Sequence, residues 1–405
     1  MANAWAYRVR TRDGKIVEGT MEADSNTAVA QRLRAQNMIP IEIKQQGGGM
    51  SLKKDFALPQ RVKLKDLAVF SRQFATMISS GLSLLRSLNI LAEQTENKTL
   101  AKTIVAVRDE VEAGTALSGA MAKHPKVFKS LFVSLVKAGE TGGQLDEVLL
   151  RVADSFEKDY KLRQKIKAAM TYPVVVFMIA IVLVTIMLIF IVPTFAAMFT
   201  GLGGELPLPT KILVFLSAKA IIIIPVVVIL SIVGFVLYKR TRRLSENFTY
   251  RTDKIKLKAP VFGNLFMLIA ISRFARTLAL LLRSGVPVLQ AMEITSEAAG
   301  NRVVGRAALD VRDSVREGES ISGPLKNHPV FPPMVVQMIA VGEDTGQVDE
   351  MLDKIAEFYE QETESTTESL TALLEPLMIA VLGGLVGSMV IALYMPMFKI
   401  FDLIK

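Results

Sequence analysis

The sequence contains no cysteine and only two histidines among its 405 residues. Without cysteine the chain has no disulfide bond, no thiolate metal site and no thiol nucleophile. His124 and His328 each precede a proline in a segment that reads as a loop before a helix, and neither has a second metal ligand nearby in the sequence. We therefore expect both histidines to be turn residues, and we expect no metal site.

The sequence also lacks the motifs of nucleotide hydrolysis and of common enzymes. No G-x-x-x-x-G-K-[ST] segment is present, which excludes a P-loop ATPase. No metal-ligand cluster, nucleophile–base pair or carboxylate dyad lies in or beside the apolar segments. We predict a protein that is not an enzyme and has no cofactor, so that any ATP-driven role would depend on a separate motor protein.

Hydrophobic residues make up 51% of the sequence, and the mean hydropathy of +0.37 is too high for a soluble protein of this size. The net charge is +9, and the basic residues cluster beside the apolar segments. Anionic lipid head groups attract such clusters, so we predict membrane lipid and no nucleic acid as a partner. The N-terminus lacks the apolar core of a cleavable signal peptide, and insertion is expected to rely on internal segments.

Three apolar segments are long enough to cross a membrane. The clearest runs from Val174 to Val192 without a charged residue, and about 20 apolar residues span a hydrocarbon core. The prediction comprises transmembrane helices at 169–199, 212–238 and 372–398, an external loop at 200–211 and an external tail at 399–405.

The flanking charges predict the orientation. Basic residues precede the first segment and follow the second: Lys158, Lys161, Arg163, Lys165, Lys167, Lys239, Arg240, Arg242 and Arg243. The positive-inside rule places both flanks in the cytoplasm, and three spans then place the C-terminus outside. Lys219 lies inside the second segment, within reach of its outer interface, and we interpret it as structural. We predict a bacterial inner-membrane protein with a cytoplasmic N-terminus.

The chain contains an internal repeat. FSRQFATMISSG from Phe70 pairs with FARTLALLLRSG from Phe274, and GETGGQLDE from Gly139 pairs with GEDTGQVDE from Gly342. The match extends into the apolar segments through two pairs of prolines: Pro173 with Pro376 and Pro193 with Pro396. The repeat unit is therefore a soluble domain together with the transmembrane helix that follows it.

The two soluble copies, residues 65–168 and 239–371, have the residue spacing of amphipathic helices. Apolar residues recur every three or four positions, as at Leu67, Phe70 and Phe74, which is typical of a helix with one buried face. Glycines divide each copy into short helices, so we predict two cytoplasmic helical bundles.

The first 46 residues differ from the rest. Two strand-like segments flank an Asp13-Gly14 turn, and a helix and a third strand follow. We predict a small α+β module at 1–46 and a flexible linker at 47–64, which contains three consecutive glycines. The complete fold prediction is mainly α: a polytopic membrane protein with three transmembrane helices, two repeated cytoplasmic bundles and this module.

The paired GETGGQLDE and GEDTGQVDE segments allow two interpretations. In the structural one, glycine ends a helix, Thr141 and Asp344 begin capping boxes, and the following acidic residues favour the first turn of the next helix. In the functional one, the segments form an acidic corner that contacts a basic partner or a cation. The candidates for partner contact are Glu140, Asp146, Glu147, Glu343, Asp349, Glu350, Arg72 and Arg276.

Prolines and glycines suggest helix bends and helix–helix contacts in the membrane. Pro173 and Pro376 lie where a soluble helix enters the membrane, and each removes a hydrogen bond from its helix. A bend there either transmits motion as a hinge or only sets the exit angle. Gly383 and Gly387 form a small-xxx-small face that permits close approach of another helix, from a second copy or from the same chain.

With the duplicated domain, the paired acidic segments and the matching prolines, the chain resembles the type II secretion F family, and within it the platforms of type IV pili. The resemblance extends from the RQFATMISSGLSL segment near Arg72 to YMPMF near Tyr394. It implies a dimeric or tetrameric inner-membrane platform that couples a cytoplasmic hexameric ATPase to pilin extraction and filament assembly, beside other pilus inner-membrane assembly proteins. The eight contact candidates then become candidates for ATPase contact.

Other functions stay open. Within the family, the platform of a type II secretion or DNA-uptake pseudopilus is the alternative. From a different class, a small transporter or channel would also contain a repeat, but transport sites usually need broken helices or buried polar groups near the bilayer midplane. Apart from Lys219, the predicted spans contain only scattered serine and threonine residues.

Overall fold

A computed structural model describes residues 3–10, 16–23, 25–35, 38–45, 61–201 and 207–403. The chain divides into two compact units, Met1–Gln60 and Arg61–Lys405, and it is mainly helical. The predicted Asp13-Gly14 turn and the glycines of the predicted linker lie outside the described residues, as do 202–206 of the predicted external loop.

The N-terminal unit contains a three-stranded antiparallel sheet and one helix. Its elements are β1 (Asn3–Arg10), β2 (Ile16–Ala23), α1 (Asn26–Ala35) and β3 (Ile39–Gln45). β1 lies in the centre, between β2 and β3. Side chains from the sheet and the helix, including Trp5, Val9 and Leu33, form a small separate core, and the Trp5 indole donates a hydrogen bond to Ala23 O at 2.9 Å.

The first copy of the repeat begins with five short helices and a long one. They are α2 (Leu64–Ser79), α3 (Leu84–Gln94), α4 (Lys98–Glu112), α5 (Leu117–Ala122), α6 (Ser130–Gly142) and α7 (Leu145–Ile186). A π-helix at Met187–Ile191 and α8 (Val192–Gly201) continue α7. The next helix, α9 (Leu208–Leu244), has no counterpart in the second copy.

A further helix, α10 (Glu246–Leu257), precedes the second copy. The second copy then has the same series of helices as the first: α11 (Phe262–Arg283), α12 (Val288–Ala298), α13 (Arg302–Arg316), α14 (Ser322–Leu325), α15 (Pro333–Thr345) and α16 (Val348–Leu403). Equivalent residues begin equivalent helices: the side chains of Asn97 and Asn301 accept hydrogen bonds from the first turns of α4 and α13. These caps satisfy donors that a helix start otherwise leaves unpaired.

Buried residues of both soluble copies form one continuous hydrophobic core. Within the first copy, Phe70, Phe128 and Phe132 are fully or almost fully buried and their rings contact one another. In the second copy, Phe274 packs edge-on against Phe331. Because the core is continuous, the two copies are packed against each other in this unit.

Four helical segments are long and apolar enough to cross a membrane: Leu145–Met198, Leu208–Arg242, Phe262–Arg283 and Val348–Met395. The most apolar stretch of the third is 67% buried inside the protein, whereas those of the other three are 6% to 17% buried. A helix with an exposed apolar surface must be covered by lipid or by another protein. Three of the four segments therefore have a surface suited to lipid.

The long helices pass from the soluble core into these apolar segments without interruption. α7 contains Pro173 and α16 contains Pro376, and both remain helical through the proline. Lys219 of α9 lies over the ring of Phe215, at 5.0 Å from its centroid, one turn nearer the start of the helix. Its ammonium thus points toward the end of α9 that the sequence placed outside.

Candidate functional site

The paired acidic segments form two equivalent corners, each between a short helix and the long helix that follows. Gly139 and Gly342 allow these helices to approach closely. A Cβ atom at Gly139 would lie 3.1 Å from Leu145 Cα, and one at Gly342 would lie 2.9 Å from Val348 Cα. The shared spacing of the two segments is therefore explained in part by packing at the corner.

Glu140 and Glu343 each cap another helix of their own copy. The Glu140 carboxylate accepts hydrogen bonds from the backbone N–H groups of Leu117, at 2.6 Å, and Ser118, at 3.0 Å. Glu343 accepts from Ile321 and Ser322 in the same way. These N–H groups lie at the starts of α5 and α14, where backbone N–H groups have no helical acceptors. Both carboxylates are thus engaged inside the protein.

At each corner a glycine in the left-handed conformation ends the short helix, as the sequence predicted. Gly143 and Gly346 have φ angles of 68° and 74° and end α6 and α15, a conformation that favours glycine. The predicted capping boxes are wrong. Thr141 lies in the last turn of α6, where its hydroxyl donates to Lys137 O, and the Gln144 cap of α7 makes no side-chain hydrogen bond.

The other acidic candidates divide into paired and unpaired residues. Glu147 accepts a hydrogen bond from Arg151 at 2.6 Å, and Asp349 accepts one from Arg283 at 3.2 Å. Asp146 and Glu350 are exposed, and within the described part of the chain no side chain forms an ion pair with either. Of the six acidic candidates, these two carry charges that are available to a partner.

Arg72 and Arg276 make equivalent pairs with the long helices. Arg72 donates to both carboxylate oxygens of Glu157, at 2.7 and 2.9 Å, and Arg276 donates to both oxygens of Glu360, each at 3.0 Å. Each arginine also contacts a second acidic residue, Asp154 or Asp353 respectively. Both guanidinium groups, which are also predicted partner contacts, attach the first helix of their copy to the long helix.

The electrostatics follow from these pairs. Hydrogen bonds from Arg72 lower the pKa of Glu157 below its usual value, and the positive charge of Arg72 acts in the same direction. The same contacts raise the pKa of Arg72. Both Arg72 and Glu157 therefore keep their charges at neutral pH. Elsewhere, burial raises the pKa of the Tyr359 phenol, and the nearby carboxylate of Glu362 raises it further.

Charged contacts also join the two copies, and the sequence analysis missed them. Arg273 of α11 donates to Asp159 of α7 at 3.3 Å, although burial lowers the pKa of Arg273. Closer to the membrane, Lys165 pairs with Glu364 at 2.6 Å. The partners lie 114 and 199 positions apart in the sequence and in different copies, so patterns within one copy give no signal for them.

Within the described residues no group of three or more His, Asp or Glu side chains is arranged to hold a metal ion. A Cβ atom at Gly383 or Gly387 would meet no atom within 4 Å. Among the residues that the structure describes, no neighbouring helix therefore covers their small face.

The repeat and its accompanying N-terminal unit match known families. Residues 70–193 and 274–396 match the family described as "Type II secretion system (T2SS), protein F", and residues 1–44 match its N-terminal domain.

The chain is 44% identical to the type IV pilus assembly protein PilC of Thermus thermophilus, over 98% of each chain. It is 40% identical to PilC of Myxococcus xanthus, over 97% of this chain and 94% of that protein. The type II secretion system protein F of Vibrio cholerae is 34% identical over 87% of each chain. This chain belongs to the type II secretion system protein F family.

Proposed function

We propose that the chain is the inner-membrane platform of a type IV pilus assembly machine. The observation that carries the proposal is the similarity to two type IV pilus assembly proteins, at 44% and 40% identity along almost the whole chain. Identity to the Vibrio secretion protein is lower, and the match is shorter. A type II secretion or DNA-uptake platform is therefore the second candidate.

In this function the chain transmits force and carries out no catalysis. A cytoplasmic hexameric ATPase moves the soluble copies, and the unbroken helices α7 and α16 carry that motion to pilin subunits in the bilayer. The test is to purify the tagged full-length chain from cross-linked membranes and identify its partners by mass spectrometry. We expect the pilus ATPase and the major pilin, together with other pilus inner-membrane proteins. Recovery of neither would contradict the proposal.

Three transmembrane helices fit the chain better than four. The fourth candidate, α11, aligns in the repeat with α2, and its apolar stretch is mostly buried in the soluble core. We propose that the spans lie within 169–199, 212–238 and 372–398, with both copies and the N-terminal module in the cytoplasm. Basic residues at the ends of the first two spans support this orientation.

Single cysteines can test this topology without background labelling, because the chain has none of its own. Lys123→Cys and Lys326→Cys report on the two copies, and Lys211→Cys reports on the start of α9. In intact spheroplasts, a membrane-impermeant maleimide is expected to label only Lys211→Cys. Labelling of Lys326→Cys in intact spheroplasts would place the second copy outside and require another number of spans.

We propose Asp146 and Glu350 as the contacts for the ATPase, because both are exposed and unpaired in the described chain. Asp146→Lys and Glu350→Lys should reduce ATPase retention in a pull-down while the chain stays folded, because a changed charge in the first turn of α7 or α16 costs only about 1 kcal/mol. Glu112→Lys, the same charge change at an exposed residue of α4, is the matched control. Equal retention by all three variants would remove this surface from the proposal.

The oligomeric contact and the hinges complete the proposal. The uncovered face at Gly383 and Gly387 suits a second copy of α16, as expected for a dimer or tetramer. Pro173 and Pro376 are the proposed hinges at the membrane surface. Gly383→Leu should lower the cross-linked dimer fraction, whereas Leu377→Ala, at an exposed position on the same helix, should not.

A further inference from the structure

Two hydroxyl groups of α9 donate hydrogen bonds to main-chain carbonyl groups of two other apolar helices. Thr210 Oγ1 donates to Ala392 O of α16 at 2.5 Å, and Ser217 Oγ donates to Leu188 O in the π-helix that continues α7. Both hydroxyl-bearing side chains are buried. Seven residues are two helical turns, so the two hydroxyl groups lie on nearly the same side of α9.

The carbonyl that Thr210 contacts has lost its partner within the helix. In an α-helix the N–H of a residue donates to the carbonyl four residues earlier. Pro396 has no N–H, so it makes no hydrogen bond to Ala392 O, although α16 stays helical from Val348 to Leu403. The Thr210 hydroxyl supplies the donor that Pro396 lacks.

The carbonyl of Leu188 also lacks a main-chain donor because of a proline, but here the donor and acceptor of the helix are five residues apart. In this segment the N–H of Val192 donates to Met187 O, five residues earlier. The next donor in that pattern would be Pro193, whose acceptor would be Leu188 O, but proline has no N–H. Ser217 donates to that carbonyl. The π-helix therefore brings the unpaired carbonyl to α9.

Pro193 and Pro396 are equivalent positions of the repeat, and α9 belongs to neither copy. One unrepeated helix thus supplies a hydroxyl to each copy beside the same proline, at carbonyls four and five residues before it. The long apolar helices also contain Pro173, Pro225 and Pro376, and in the described part of the chain no hydroxyl of another helix donates to the carbonyl four residues before any of them. The two contacts are therefore specific to the repeat-equivalent pair.

We propose that Thr210 and Ser217 are positioning residues that attach the two repeat-related membrane helices to α9, at the carbonyls that Pro396 and Pro193 leave free. An unpaired carbonyl is costly in a lipid environment, and hydroxyl side chains and local π geometry are ways to satisfy it. Because each attachment is a side-chain bond, it can open and close while both helices keep all their own main-chain bonds. This inference does not depend on the proposed function.

The test is a double-mutant cycle on the full-length chain in mixed micelles, with the unfolding equilibrium constant followed by far-ultraviolet circular dichroism. Thr210→Val removes the hydroxyl and keeps the shape, and we expect about a threefold larger unfolding constant. Thr210→Ser keeps the hydroxyl and should match the unsubstituted chain. In a Pro396→Ala background, where the introduced alanine restores the N–H donor within α16, Thr210→Val should have a much smaller effect.

The second site gives an independent cycle from Ser217→Ala and Pro193→Ala. The proposal would be overturned if Thr210→Val raised the unfolding constant equally in the unsubstituted and the Pro396→Ala backgrounds. It would also be overturned if Thr210→Ser raised the unfolding constant as much as Thr210→Val. If Thr210→Val fails to fold, recovery of folding in the Pro396→Ala background supports the proposal. Failure in both backgrounds contradicts it.

Discussion

Arg276 and Glu360 form a two-point ion pair, since the guanidinium donates to both carboxylate oxygens at 3.0 Å each. The pair of Arg72 with Glu157 repeats it in the first copy. In both copies the pair attaches the first helix of the bundle to the soluble part of the helix that enters the apolar segment. These pairs are thus placed to carry force from the bundle to that helix.

Replacement of either arginine by lysine should weaken the bundle, because an ammonium cannot donate to both oxygens in the planar geometry of a guanidinium. The side chain of Arg276 is 13% exposed and that of Arg72 is 36% exposed. We expect Arg276→Lys to lower the free energy of unfolding by about 1–2 kcal/mol, and Arg72→Lys by less than about 1 kcal/mol. Chemical unfolding of the detergent-solubilised chain measures both, and the reverse order would contradict this account.

Stability should fall in acid because of Glu157. Its pKa is lowered in the folded chain by the Arg72 hydrogen bonds. A lowered pKa contributes stability above the unfolded value of about 4.5, and this contribution disappears as pH falls through the folded value. The melting temperature of the unsubstituted chain should exceed that of Glu157→Gln at neutral pH, and the difference should shrink below about pH 4.5. A constant difference across this range would exclude the ionic contribution.

The close approach at the acidic corners predicts which glycine substitutions are tolerated. Gly139→Ala and Gly342→Ala place a methyl group against the next helix, and we expect a loss of about 1–3 kcal/mol of unfolding free energy. Gly142→Ala, three residues from Gly139, meets no atom within 4 Å and serves as the control. It should be neutral or stabilising by up to about 1 kcal/mol, because glycine is a poor helix former.

Removal of the helix caps should loosen two short helices locally. Glu140→Ala and Glu343→Ala leave the first N–H groups of α5 and α14 without acceptors, at a cost of about 1 kcal/mol each. Hydrogen–deuterium exchange should become faster at Leu117, Ser118 and Ser322. Asp146→Ala removes an exposed carboxylate from the same corner and should leave these rates unchanged. If all three variants had similar exchange rates at these positions, the two glutamate caps would not protect the starts of α5 and α14.

The sequence predicted the helical repeat well, because its signals are local or duplicated. Gly143 and Gly346 end helices in both copies, within the paired segments where the sequence predicted a helix-ending glycine. The capping-box prediction at Thr141 was wrong because the left-handed glycine follows that residue, which keeps Thr141 inside the preceding helix. A motif of four residues does not specify where the helix ends.

The roles of the charged candidates required the structure, since they depend on residues far apart in the sequence. Arg72 reads as a surface charge, and its partner Glu157 lies 85 positions away. Both residues recur at Arg276 and Glu360, so matched charges between copies were the available signal. Hydropathy alone also cannot separate α11 from a transmembrane helix, because burial in protein and burial in lipid select the same apolar side chains.

The central claim is that this chain assembles type IV pili, and deletion of its gene tests it most directly. Surface filaments would be counted by electron microscopy, and secreted proteins quantified in the same cultures, with a wild-type copy as the rescue control. The account predicts loss of filaments, with pilin still present in the membrane and secretion intact. Normal filaments in the deletion strain would contradict it, and a loss of secretion alone would assign the chain to a secretion machine instead.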